Sequence, residues 1–160
     1  MNTDDIGAAL HHKLVENFVA ESNRIEGILE TTSEQVDATL VFLARPAVTV
    51  CDLEQLVEVY QPGARLRTQR GMDVRVGDHR PPPGGSQVVS DLEQILKIML
   101  HKHPYATHID YETLHPFMDG NGRSGRTLWA WHMLKKGTWP GLKLGFLHAW
   151  YYQSLQFSRR

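Results

Sequence analysis

The run His115-Pro116-Phe117-Met118-Asp119-Gly120-Asn121-Gly122-Arg123-Ser124-Gly125-Arg126 gathers a histidine, a carboxylate, three glycines, an asparagine and two arginines. No packing need explains such a set, but a phosphate site does. Gly120 and Gly122 flank Asn121 and let the backbone take positive φ, so that successive N–H groups form a concave anion nest. A helical pattern starts at about Gly122, runs through Leu128, Trp131 and Leu134, and stops at Gly137. The nest therefore lies at a helix N-terminus, where free N–H groups and the dipole favour an anion. Arg123 and Arg126 are three apart, so they project from neighbouring positions and can give paired hydrogen bonds to phosphate oxygens. Asp119 stands at the loop mouth, where a lone carboxylate beside phosphates suits Mg²⁺. His115, with an unperturbed pKa of about 6.5, suits a general base at neutral pH.

The run resembles the active-site motif of Fic domains, H-P-F-x-[D/E]-G-N-G-R-x-x-R, with every fixed position filled. The resemblance implies a mainly α protein with the Fic fold, a helical bundle with a short β-hairpin flap over the active site. It implies transfer of AMP from ATP to a Tyr, Thr or Ser hydroxyl of a protein target, with pyrophosphate leaving. By the same resemblance His115 deprotonates the hydroxyl and Asp119 holds Mg²⁺ (or Mn²⁺). Gly120, Asn121 and Gly122 form the anion hole, and Arg123 and Arg126 hold the β- and γ-phosphates. Gly122 and Arg123 speak against the phosphorylating branch, which carries a lysine-containing motif. Phosphocholine transfer, use of another nucleotide, removal of AMP from a modified protein, and nucleotide binding without turnover stay open as alternatives.

Two further segments match the family. Ser22-Asn23-Arg24-Ile25-Glu26-Gly27 resembles the inhibitory motif [S/T]-x-x-x-E-[G/N]. It falls on a segment, His11 to Glu30, that reads as an amphipathic helix through Leu14, Val15, Phe18, Val19, Ile25, Ile28 and Leu29. The match implies that Glu26, sharing a face with Ser22, pairs with Arg126 and occupies space the γ-phosphate needs. The second segment, 65–77, reads as two short strands around a Gly turn. Its Arg67-Thr68 and Val74-x-Val76-Gly77 resemble the Fic flap, which implies that Arg67, Thr68, Val74 and Val76 hold an extended target segment by strand addition.

The elements that must position these residues are mostly helices. Thr32 with Gln35, Thr49 with Asp52, and Ser90 with Glu93 read as capping boxes. They open helices ending before Pro46, at Tyr60, and at about His103. Another helix from about Tyr105 to Leu114 leads into the motif, and a last one spans Leu142 to about Phe157. Tryptophans 129, 131, 139 and 150 read as packing residues. His101, His103 and His108 match no zinc spacing well.

The length of 160 residues suits a single domain over 1–160. Hydrophobic content of 41% and charged content of 22% exclude a disordered chain. No apolar run reaches the ~20 residues that span a bilayer, and the acidic start is no secretion signal. A net charge of −1 argues against nucleic acid as the main partner. Cys51 excludes an internal disulfide and reads as a small buried hydrophobe in a reducing compartment, so the expected location is cytoplasmic. The expected partners are ATP and a protein target, with self-modification and oligomerisation open, and no membrane.

Overall fold

The computed structural model describes residues 3–137, and the helix expected at 142–157, with Trp139 and Trp150, lies outside the described residues. Among the described residues six α-helices follow in chain order: α1 (Thr3–Ile25), α2 (Ser33–Leu43), α3 (Val50–Tyr60), α4 (Ser86–Ile98), α5 (Pro104–Leu114) and α6 (Asn121–Lys135). A 3₁₀ turn, Met99–His101, continues α4. Among the described residues no helix is long and apolar enough to cross a membrane.

The architecture is a bundle around α6, which packs against α1, α2, α3 and α5, while α4 lies on α5. α6 is the least ordinary of these helices. Its sequence is polar, yet it buries Asn121, Arg123, Ser124, Arg126, Thr127 and His132 with Leu128, Ala130 and Trp131. A central helix rich in polar groups breaks the local patterning rule, and such breaks concentrate at functional sites.

α2 and α3 start as the sequence predicts. Thr32 and Gln35 form a reciprocal capping box, as do Thr49 and Asp52. α3 buries Leu53, Leu56, Val57 and Tyr60, the i, i+3, i+4, i+7 stripe of one helix face. Cys51 precedes that stripe by two positions, so it falls on another face and is exposed rather than buried.

α4 differs from expectation. It begins at Ser86 with Gly85 as N-cap, not at a Ser90 capping box, and Ser90 sits inside the helix. Val88 and Leu92 are both fully buried, and this i, i+4 pair requires the extra turn. His103, expected at the end of α4, instead caps α5: its Nδ1 accepts from the Tyr105 N–H at 3.3 Å and Pro104 occupies the first turn. His108 packs in the core, stacked on Trp129 with ring centroids 5.0 Å apart.

The β-hairpin expected over 65–77 is not formed. Among the described residues β pairing is confined to isolated bridges, Leu66 with Phe117 and Val76 with His79. Two strands around a Gly turn require the part before Gly71 to pair with Val74 and Val76, but residues 65–67 are paired with the active-site run itself. The Arg67 N–H donates to Pro116 O at 2.9 Å and the Met118 N–H to Arg65 O at 2.9 Å.

His132 supplies a stability prediction. It is fully buried on α6, and neither ring nitrogen has a hydrogen-bond partner among the described residues. Burial pushes its pKa from 6.5 down to about 4, with Lys136 and His103 acting in the same direction. Between those values the unfolded chain takes up a proton that the folded chain refuses. Stability is therefore full above pH 6.5 and falls as pH drops toward 4. Urea unfolding at pH 7 and pH 4.5 should show wild type losing about 2 kcal/mol more than His132→Leu. Equal losses in the two proteins would show that His132 is not the group that titrates.

Candidate active site

The run from His115 to Arg126 joins α5 to α6, and each bend in it has a local cause. His115 closes α5 as its C-cap in the left-handed region, φ 50 and ψ 62, with its N–H on Tyr111 O at 2.9 Å. It is the one non-glycine residue with positive φ among those described. The ring is half-buried with Nδ1 covered. Phe117 is fully buried and anchors the loop.

Asn121 ties the loop into a ring. Its side-chain oxygen accepts from the Phe117 N–H and its side-chain nitrogen donates to Phe117 O, both at 2.8 Å. This pair of hydrogen bonds from the start of α6 back to the loop commits the Asn121 amide to shape, leaving the backbone to meet an anion. Gly120 turns at φ 76, and a Cβ there would press on Gln61 and Val57 of the α3 end. Asp119 is exposed, and its Oδ1 accepts from the Gly120 N–H at 2.6 Å. Below the nest, Ser124 Oγ donates to Gly120 O at 2.9 Å and lies 2.7 Å from the buried Tyr111 hydroxyl. A Ser124 that donates to Gly120 leaves the Tyr111 O–H as donor to Ser124.

The two arginines take different positions. Arg123 turns to the C-terminus of α3, giving Nη1 to Tyr60 O at 2.7 Å and Nη2 to Gln61 Oε1 at 2.6 Å, with its guanidinium over the Tyr60 ring. Burial pulls its pKa below the ordinary arginine value, opposed by the charges of Glu26 and Asp119. Arg126, 1% exposed, turns to α1. It donates to Ser22 Oγ at 2.8 Å, to Ser22 O at 2.9 Å and to Glu26 Oε1 at 2.6 Å.

Glu26 meets Arg126 beside Ser22 as expected, but it lies just past the helix end and not within a helix to Glu30. α1 ends at Ile25 and Gly27 turns at φ 75. The Ile28 N–H reaches Asn23 O at 3.0 Å and the Gly27 N–H reaches Arg24 O at 2.9 Å. This Schellman turn makes Glu26 the C-cap. A carboxylate at a helix C-terminus is disfavoured by the dipole. Here it is offset by Arg126 and by the N-terminus of α6, because a Cβ on Gly122 would collide with Glu26 Oε1. Ser22 and Asn23 are fully buried, and the Asn23 side chain fixes the turn through Glu30 O and Gln35 Oε1, each at 2.9 Å. Periodicity reasoning passed over Asn23, although a polar residue on the stripe of Val15, Phe18, Val19 and Ile25 was a legible signal.

The flap residues are placed otherwise than expected. Arg67 is fully buried, and its guanidinium bonds main-chain carbonyls at 72, 82, 114 and 115 rather than facing a target. Thr68 is exposed, and Val74 and Val76 are half-buried in a loop closed at its base by the Gly85 N–H on Arg67 O at 3.0 Å. His79 Nε2 lies 2.9 Å from Thr113 O, which holds this loop against α5.

The assembled site is thus an anion nest at the head of α6, a histidine at the tail of α5, an exposed carboxylate at the mouth, and a second carboxylate on Arg126 beside Gly122. The sequence model of the Fic/DOC family matches residues 2–133. "Protein adenylyltransferase Fic" of Culex quinquefasciatus is 32% identical over 137 residues, covering 76% of this chain and 26% of that protein. The chain therefore spans about a quarter of that relative's length. The family match, which spans most of the chain and includes the site just described, establishes that the chain belongs to the Fic/DOC family.

Proposed function

We propose that this chain is a protein adenylyltransferase held in check by Glu26. The observation that carries the reading is the Glu26 carboxylate on Arg126 and against Gly122: an anion lies beside the head of α6. Free N–H groups and the dipole make that point a phosphate seat, and the carboxylate stands where a phosphate of ATP would lie. The name of the mosquito relative agrees with this reading.

In the proposed reaction the triphosphate takes the seat of Glu26. The nest at Gly120 to Gly122 receives phosphate oxygens and Arg126, uncovered, pairs with the terminal phosphate. Arg123 stays on α3, holds the loop and adds positive charge. The target Ser, Thr or Tyr oxygen attacks the α-phosphorus. The new O–P bond forms as the bond to the bridging oxygen breaks, pyrophosphate leaves with that electron pair, and His115 takes the hydroxyl proton. The target segment is assigned to the loop 67–85, with Thr68, Val74 and Val76 at its approach, since that loop is fixed beside His115.

Asp119 fits a divalent metal ion: it is exposed at the loop mouth and oriented by the Gly120 N–H. Mg²⁺ or Mn²⁺ there would neutralise phosphate charge and orient the leaving group. Chelator should abolish transfer. Asp119→Ala should do the same and weaken Mn²⁺–ATP binding in calorimetry, while leaving metal-free ATP binding near wild type. Metal-independent labelling would refute the assignment. Incubation with α-labelled ATP, and separately with AMP-modified protein, tests the reading as a whole: incorporation supports transfer, and release without incorporation would favour the hydrolase.

A further inference from the structure

We propose that Arg67 is the residue that positions His115, by gripping the backbone of residues 114 and 115 from behind the active-site loop. The proposal rests on the reading of His115 as the base.

A non-glycine residue in the left-handed region carries a cost of about 1–2 kcal/mol, and it persists only when its surroundings impose it. His115 is such a residue, at φ 50. Its imposed geometry aims the imidazole out of the end of α5, where a continued helix would send it elsewhere. Arg67 is what holds that turn. Its Nε donates to His115 O at 2.7 Å and its Nη2 to Leu114 O at 2.8 Å. On the other side Nη1 donates to Pro82 O at 2.7 Å and Met72 O at 3.2 Å. The main chain adds the bond from the Arg67 N–H to Pro116 O at 2.9 Å.

A fully buried guanidinium spread over four carbonyls is not a packing solution. Burial lowers its pKa, with the Asp73 charge opposing. An apolar side chain would fill the space without the desolvation cost. What an apolar side chain cannot do is fix two successive carbonyls at a helix end together with the loop carbonyls of Met72 and Pro82, which takes a planar fork. Lysine carries the charge but not the fork. Arg67 also couples the base to the loop 67–85, so a target segment docked on that loop and the base that deprotonates it share one support.

The test compares wild type with Arg67→Lys. The variant should keep KM for ATP within about twofold and lose roughly ten- to a hundredfold in kcat, since misplacing a reacting group by an ångström costs on that order. In ¹³C–¹H spectra the His115 ring signal should move or broaden in the folded variant, while the His108 signal stays. A folded Arg67→Lys with wild-type kcat and an unmoved His115 signal would overturn the proposal, as would a loss confined to KM. If Arg67→Lys does not fold, wild type decides. A through-hydrogen-bond coupling between Arg67 Nε and the His115 carbonyl carbon supports the proposal, and its absence overturns it. The His115 ring signal reads the grip without any turnover. An active His115→Ala would therefore dismiss the base and leave the effect of Arg67 on the ring measurable on its own.

Discussion

His115→Ala should fold, bind ATP as wild type does, and lose AMP transfer by about 10²–10⁴-fold, the usual effect of removing a general base. The side chain is half-buried at the end of α5, and bonds from Asn121, Ser124 and Arg67 shape the loop. The nest should survive its loss. Thermal unfolding and calorimetry with a non-hydrolysable ATP analogue would establish an intact fold and an intact nucleotide site. Labelling with α-labelled ATP then isolates the chemical step. Labelling near the wild-type rate would remove His115 from the reaction.

The second large effect is a gain. Glu26→Gly removes the carboxylate from Arg126 while leaving the guanidinium held by Ser22 Oγ and Ser22 O. Glycine is also well suited to the end of α1, where the chain already turns at Gly27. The lost charge-assisted bond is worth roughly 1.5–3 kcal/mol, so self-labelling should rise about ten- to a hundredfold. Adding Arg126→Ala should cancel the gain, because the vacated seat then has no cation. The Glu26–Arg126 pair is asymmetric: Arg126 is 1% exposed and the Glu26 side chain 32%. Glu26 is thus the partner that can leave, and Arg126 the fixed one. Unchanged labelling in Glu26→Gly would mean that the carboxylate beside the nest does not impede ATP.

Much of this site was legible in the residues. The glycines, the asparagine and the helix start at the nest are local signals, and local physics governs them. The Glu26–Arg126 pair joins residues 100 positions apart, and only the family resemblance pointed to it. The end of α1 was misjudged by a turn because Ile28 and Leu29 extend the apolar pattern past Gly27, where the Schellman turn breaks the helix. Leu29 is 86% exposed as a result.

The hairpin was misjudged for a different reason. Alternation at Val74 and Val76 predicts strand geometry but not the partner, and the segment that should have paired with it is bonded to residues 116–118. Arg67 shows the same limit. The family resemblance makes Arg67 a target-holding flap residue, and nothing nearby in sequence reveals that its acceptors lie at 114 and 115. The reach of Arg123 to Tyr60 and Gln61 is likewise non-local. In each of these cases the chemistry of the residue was apparent and its address was set by tertiary packing.

The central claim is that the nest of α6 receives ATP for AMP transfer once Glu26 is gone. It is tested most directly by incubating Glu26→Gly with Mg²⁺ and either α-labelled or γ-labelled ATP, followed by intact-mass measurement. The account predicts label from the α position, none from the γ position, and a mass gain of whole AMP units with pyrophosphate released. Label from the γ position, or no covalent label from either while ATP binds, would contradict it.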